Sequence, residues 1–360
     1  RSRGSTRLEL FRRLRSRIRQ RFGRSEKSQP VNTGLQPELT PWFDRLENLR
    51  LEEAGELHSD FSAEVAGTWF PVTLKIIDAR DPQIRQDLVT ELSMTNSFGG
   101  GDVATLFEVA WHSYEDVRYV AILMEKLDGT FRTEVLGRDV NSIPREAKLR
   151  LLGEILRGAQ KVIDRNFVHR NINPDNVAVV GDCKGDLSDC HVKLVGFGLT
   201  ADIEKARKGE NGALGNIAYS APEAWTTNGD LSKIDVWSTG RLAFELFVGG
   251  EPMLRKGKSY KPYDIDLVGD KRFAQLKKSD PAVANLIEKM LSKRIWLRPN
   301  IDAAYAMVED ILRKAGVDGV PEQPQIALPD AWYGTRRPQT GRVQVAGRLL
   351  TRSAGMQGAK

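Results

Sequence analysis

The stretch VHRNINPDNV at 168–177 places His169, Arg170, Asn171, Asn173, Asp175 and Asn176 within ten residues. So many hydrogen-bonding side chains in one loop read as a site, but of a particular kind. Carboxamides donate and accept hydrogen bonds and take up no proton at neutral pH. Asp175, and Asp202 downstream, are the nearby carboxylates that any acid–base or cation chemistry would draw on. His169 reads as a core residue, since no acid–base partner is predicted beside it. Cys183 and Cys190 flank a six-residue loop between two predicted strands. A disulfide is reasonable there in an oxidising compartment, and a pair of reduced thiols is the alternative. Adding His191 does not make the four ligands a structural zinc needs, so no metal site is expected.

The elements that would hold these residues divide the chain. Val65 to Asp78 supplies β-branched and aromatic residues for two short strands, and VATLFEVAW and VRYVAILME read as a strand pair. Asp81-Pro82 starts a helix whose stripe runs through Ile84, Leu88 and Leu92. WFDRLENLRLEE at 42–53 reads as a short amphipathic helix. Beyond Pro144 the helical period dominates, in REAKLRLLGEILRGAQKVIDRNF and again at 232–247 and 281–293. A strand-rich part followed by a helix-rich part gives two lobes, α+β by class.

The chain has 360 residues and a formal net charge of +6, but the charge is unevenly placed. Residues 1–24 carry +9 and residues 330–360 carry +5, which leaves the body at −8. A basic nucleic-acid-binding face over the whole domain is not what this distribution describes. Within residues 7–24, Leu8, Phe11, Leu14, Ile18 and Phe22 recur at helical spacing among arginines. That pattern fits a helix lying on an anionic membrane surface, with a nucleic-acid- or partner-binding arm and a targeting segment or inert solvated tail as alternatives. Residues 25–41 read as a linker, and residues 317–360 as a basic irregular tail. The first residue is Arg1, not Met, so an upstream segment is expected to have been removed.

Taken in order, these motifs resemble the protein kinase family. VHRNINPDNV is similar to its catalytic loop, HVKLVGFGL (191–199) to its metal-binding Asp-Phe-Gly stretch, and Ala221-Pro222-Glu223 to its Ala-Pro-Glu. IDVWSTG (234–240), Arg298-Pro299 and Val72-Thr73-Leu74-Lys75 match further signatures. The resemblance implies a bilobal fold over 42–316, with a small β-rich lobe at about 50–127 and a larger helical lobe at about 128–316. It also implies a Glu223–Arg298 ion pair, Asp235 bracing the catalytic loop, and a Lys75–Glu91 pair between strand and helix.

The same resemblance shows what is missing. The position of the catalytic base is Asn171, that of the phosphate-contacting lysine is Asn173, and that of the metal-binding Asp is Gly196; Asn176 is kept. The three glycines of the phosphate-covering loop fall at His58, Asp60 and Ala63, and Thr73 adds bulk where adenine would pack. Between Gly198 and Ser220 the hydroxyls are Thr200 and Tyr219 alone, so a phosphorylation switch is not expected there. The reading is a pseudokinase: not an enzyme, with no cofactor and no ATP binding. It would act as a scaffold or allosteric regulator for a protein partner such as an active kinase, held to a membrane or complex by residues 7–24. A nucleotide-using enzyme of another kind and a structural subunit of a large assembly are the alternatives. A basic helix before a degenerate domain, with a cysteine pair, is similar in arrangement to the secreted rhoptry kinases and pseudokinases of apicomplexan parasites. That likeness implies a secreted, membrane-peripheral virulence protein.

Overall fold

In PVTLKIID the apolar residues alternate, and Val72, Leu74 and Ile76 bury while Thr73 and Lys75 face the other side. This is the period of a strand with one face on a core. The computed structural model describes residues 45–54, 58–114, 117–208, 215–226, 230–254, 261, 263–333 and 345–346, all within one compact unit, Pro37–Lys360. Strands β1 (Leu46–Ala54), β2 (His58–Val65), β3 (Phe70–Asp78), β4 (Leu106–Tyr114) and β5 (Val117–Glu125) form an antiparallel sheet in the order β1-β2-β3-β5-β4. Helix α1 (Pro82–Phe98) packs Leu88 and Leu92 against Val109, Val120 and Ile122.

A two-residue strand β6 (Gly129–Thr130) and a π-helical turn (Arg132–Leu136) lead into the helical lobe. Helix α2 (Arg145–Ile163) buries Leu149, Leu152, Leu156 and Ala159 at spacings of three and four. Strands β7 (Phe167–Val168), β8 (Val177–Gly181), β9 (Cys190–Leu194) and β10 (Ala201–Asp202) form two small ladders, β6-β8-β9 and β10-β7, beneath the first sheet's edge loop. Helices α3 (Ile203–Arg207), α4 (Ile234–Val248), α5 (Lys271–Ser279), α6 (Pro281–Met290) and α7 (Ile301–Lys314) complete this lobe. All of Ile234–Phe247 is buried, its polar Asp235, Ser238, Thr239, Arg241 and Glu245 included, so α4 is the central rod of this lobe. The α+β bilobal class stands. No described helix is long and apolar enough to cross a membrane.

Two expectations change. Residues 46–54 are a strand, not part of a helix. Register shifts between Glu47 and Arg50 and between Leu51 and Glu53 break the alternation, and Asn48 takes a positive φ of 56°. A bulged strand loses its period of two, and its leucines then imitate helical spacing. The tail beyond α7 is irregular in backbone but anchored. Val320, Leu328 and Trp332 are buried, the last in the short helix α8 (Asp330–Tyr333). Farther on, β11 (Val345–Ala346) adds parallel to β4. The expected helix over 1–24, with Leu8, Phe11, Leu14, Ile18 and Phe22, and the 25–41 linker lie outside the described residues.

Candidate functional site

The cleft is built from β2, β3 and α1 above and from the loops after β7 and β9 below. Lys75 points from β3 toward it, directly across the ladder from Asp60. Its ammonium lies 3.2 Å from Asp60 Oδ2, while Asp60 Oδ1 is buried without a hydrogen-bond partner. His58, Asp60 and Ala63 continue a regular antiparallel strand opposite Ile77, Lys75 and Val72. Thr73 Oγ1 accepts from the Leu127 N–H at 3.3 Å, tying β3 to the segment joining the lobes.

The expected Lys75–Glu91 ion pair is replaced by Lys75–Asp60. Asp60 reaches Lys75 across one strand spacing, whereas Glu91 has to reach from the helix. Burial pushes the Glu91 carboxyl above its ordinary range, and the Lys75 charge partly opposes this. Glu91 leans toward Gly198: a Cβ there would lie 3.7 Å from Glu91 Oε2.

Below, Asp235 at the start of α4 accepts from the His169 N–H at 2.7 Å and the Arg170 N–H at 2.8 Å. These bonds hold the loop where Arg170 adopts a φ of 68°. The His169 ring packs against Phe197 at a tilt of 52°, with Nε2 3.0 Å from the Val195 carbonyl and Nδ1 accepting from the Asn171 N–H at 3.2 Å. Burial holds its pKa below the usual histidine range. One ring nitrogen donates and the other accepts, which is the hydrogen-bond inventory of a neutral imidazole.

The asparagines interlock. Asn171 Oδ1 accepts from the Asn216 N–H at 3.0 Å and from Asn173 Nδ2 at 3.1 Å. Asn173 Nδ2 and Asn176 Nδ2 both donate to the Asn171 carbonyl at 2.9 Å. The side chain at the base position is therefore spent on holding the segment after Gly215. A Cβ on Gly215 would press on Asn171 Oδ1. Gly196 takes a φ of 77°, and a Cβ there would overlap the Asn176 carboxamide. Only glycine suits that position as the loop stands.

The two carboxylates singled out for a different chemistry serve other groups. Asp175 is held by Arg132 through bonds of 2.6 and 2.9 Å. Asp202 caps α3, accepting from Glu204 N and Lys205 N. Glu223 and Arg298 form a bidentate pair with the Arg298 side chain fully buried, 5.1 Å over the Trp237 ring. Cys183 and Cys190 are bonded to each other, and Arg150 clamps their loop through the Leu187 and Cys190 carbonyls. Among the described residues no three His, Cys, Asp or Glu side chains are grouped to hold a metal ion.

Sequence reasoning passed over three polar links. Lys193 and Glu125, both 2 % exposed, pair at 2.8 Å beneath the inter-lobe segment. Asp102 in the loop before β4 takes a bidentate bond from Arg157 of α2, at 2.6 and 2.7 Å. The tail joins them: Arg157 donates to the Val320 and Pro321 carbonyls, and Gln323 Nε2 donates to Asp102 at 3.0 Å. No motif marks such pairs; the opposite charges lie far apart in sequence.

The family implied by the resemblance uses a magnesium nucleotide, and these residues do not fit one held in that way. Gly196 offers no side-chain oxygen, and Asp60 sets a carboxylate beside the one retained lysine, where it opposes a triphosphate.

Comparison with known proteins matches residues 64–308 to the protein kinase domain. The chain is 24 % identical over 239 residues to the serine/threonine-protein kinase shk1/pak1 of Schizosaccharomyces pombe, covering 66 % of this chain and 34 % of that protein. It is 30 % identical over 133 residues to the serine/threonine-protein kinase ste20 of Emericella nidulans, covering 37 % and 15 %. With the serine/threonine-protein kinase PknL of Mycobacterium bovis it shares 29 % over 187 residues, covering 51 % and 44 %. The matched stretch is thus less than half of each relative's length. These relatives overturn the expectation of a non-enzyme drawn from Asn171 and Gly196. They are named as protein kinases, and the homology points to a kinase.

Proposed function

We propose, for a chain that belongs to the protein kinase domain family, that its work is protein binding: it acts as a scaffold or allosteric regulator for another protein, such as an active kinase. The observation that carries this reading is the Asn171–Asn216 bond. The side chain that would face a substrate hydroxyl instead fixes the segment leading to the Glu223–Arg298 pair. The large lobe then presents one settled surface, and a settled surface loses little freedom on binding. The Lys75–Asp60 pair supports the same reading, because it engages the lysine that a nucleotide's phosphates would draw on.

The test titrates the full purified chain against an active serine/threonine kinase phosphorylating a peptide. A saturable change in that kinase's rate is expected, retained when Lys75 is changed to Met. No effect on the rate, together with peptide phosphorylation by the chain itself that Lys75→Met abolishes, would sink the proposal. That outcome is the second reading, and family membership favours it: serine/threonine phosphotransfer, the activity for which the relatives are named.

In the same proposal residues 7–24 hold the domain to an anionic surface, and the Cys183–Cys190 bond belongs to an oxidising compartment, as in a secreted protein. Cosedimentation with phosphatidylserine vesicles but not with phosphatidylcholine vesicles tests the first point. Non-reducing peptide mapping of chain taken from its native source tests the second.

A further inference from the structure

Lys148 is the fourth residue of α2, yet only 7 % of its surface is exposed. Its ammonium stands 5.5 Å from the centroid of the Phe247 ring and has no hydrogen bond or ion pair with any described residue. A cation over a ring face is partly compensated. No described side chain accepts from its three donors, which open into the space beside the ring. Burial pushes the Lys148 pKa down, against a weaker pull from Asp139.

The neighbouring carboxylates are engaged. Asp139 Oδ1 accepts from the N–H and the side-chain amide of Asn141, both at 3.0 Å. Asp280 is gripped by Arg145 and caps α6 through the Val283 N–H at 3.2 Å. Neither answers the ammonium.

Lys148 lines a cavity of about 420 Å³ whose apolar walls include Ile143, Phe247 and Leu276. That volume lies within the range of small-molecule sites. Helix α2 also begins at this cavity, and no side chain caps its first turn. The positive end of a nineteen-residue helix and an ammonium paired with no described carboxylate thus converge on one space.

We propose that this cavity binds a small organic monocarboxylate, its anion on Lys148 and the α2 N-terminus and its apolar body against Ile143, Phe247 and Leu276. The charge balance selects a single negative charge. Arg145 is already neutralised by Asp280, which also lines the cavity and repels a dianion. Ile143, Phe247 and Leu276 offer a hydrocarbon or aromatic body its contact, beside the polar Asn141 and Ser142.

The test is calorimetric titration of the full chain with benzoate, 4-phenylbutyrate and octanoate, and with the three matching amides. At least one acid is expected to bind roughly tenfold more tightly than its amide, and Lys148→Met to weaken it by a similar factor. Lys148→Met removes a buried charge while keeping the side chain's length, so its melting temperature should equal or exceed that of the wild type. Crystals of the wild-type chain soaked in the tightest acid give a reading independent of the variant. A carboxylate seen on Lys148 supports the site. Binding by none of the acids, equal binding by Lys148→Met, or density only elsewhere would each overturn it.

Discussion

The Lys75 ammonium lies 3.2 Å from the Asp60 carboxylate, directly across the β2–β3 ladder, and so it faces the cleft already neutralised. Asp60 also brings a buried, unpartnered oxygen to that place. Both features oppose a triphosphate. Asp60→Asn should therefore tighten nucleotide binding by about 1 kcal/mol, roughly fivefold. Stability should change by less than about 1 kcal/mol, because the pair is partly exposed. Titration of a fluorescent ATP analogue into the wild type and the variant checks the first, and urea denaturation of the two the second. An unchanged affinity would locate the obstacle elsewhere, at Thr73 or Gly196.

Restoring a carboxylate at Gly196 should not be neutral. The position has a φ of 77°, and a Cβ would overlap the Asn176 carboxamide. Gly196→Ala and Gly196→Asp are each expected to lose about 1–3 kcal/mol in urea denaturation. The collision is with a side chain, so part of the loss should vanish in an Asn176→Ala background. A double-mutant cycle reads that coupling directly. Full additivity would mean that backbone strain alone sets the cost.

Much of this was legible in the chain, and for identifiable reasons. The lobes followed from a change of hydrophobic period near Pro144, a signal carried by many residues at once. The bonds from Asp235 and the Glu223–Arg298 pair joined residues that stand in ordered motifs. The sequence also marked Asp60 as a misplaced charge, but it could not show that Lys75 turns to it and away from Glu91. That choice depends on a strand register. β1 was hidden by its own bulges. The non-enzymatic reading came from weighing Asn171 and Gly196 alone, and the homology of the whole domain weighs against it.

The tail was the least legible part, because Trp332 sits among prolines and glutamines with no period to announce burial. Yet it is wholly buried, and its Nε1 donates to Glu108 Oε1 at 2.8 Å. Burial raises the Glu108 carboxyl's pKa, which the indole bond opposes. Trp332→Ala should cost about 3–5 kcal/mol. Trp332→Phe keeps much of the packing but strips the carboxylate of its donor, and should cost about 1–3 kcal/mol. Chemical denaturation of both variants separates packing from hydrogen bonding. A loss below about 0.5 kcal/mol in Trp332→Ala would show that the tail lies on the fold without stabilising it.

His169 should make the fold sensitive to mild acid. Its burial lowers the pKa, and its two nitrogens are satisfied as a neutral ring by Val195 and Asn171. The unfolded chain takes up this proton near pH 6.5, while the folded chain takes it up only at lower pH. Between those two values the unfolded state holds more protons, so stability falls as the pH falls, by up to about 1.4 kcal/mol per pH unit for this one group. The contribution is complete only about one unit above pH 6.5, and about 0.4 kcal/mol of it is lost at pH 6.5 itself. Urea midpoints measured at pH 7.5, 6.5 and 5.5 should decline slightly over the first step and more steeply over the last. His169→Gln, which keeps a donor and an acceptor but does not titrate, should start less stable and lose that part of the slope. An identical slope in the variant would assign the acid sensitivity to other groups, such as the carboxylates. Their titration begins nearer pH 4.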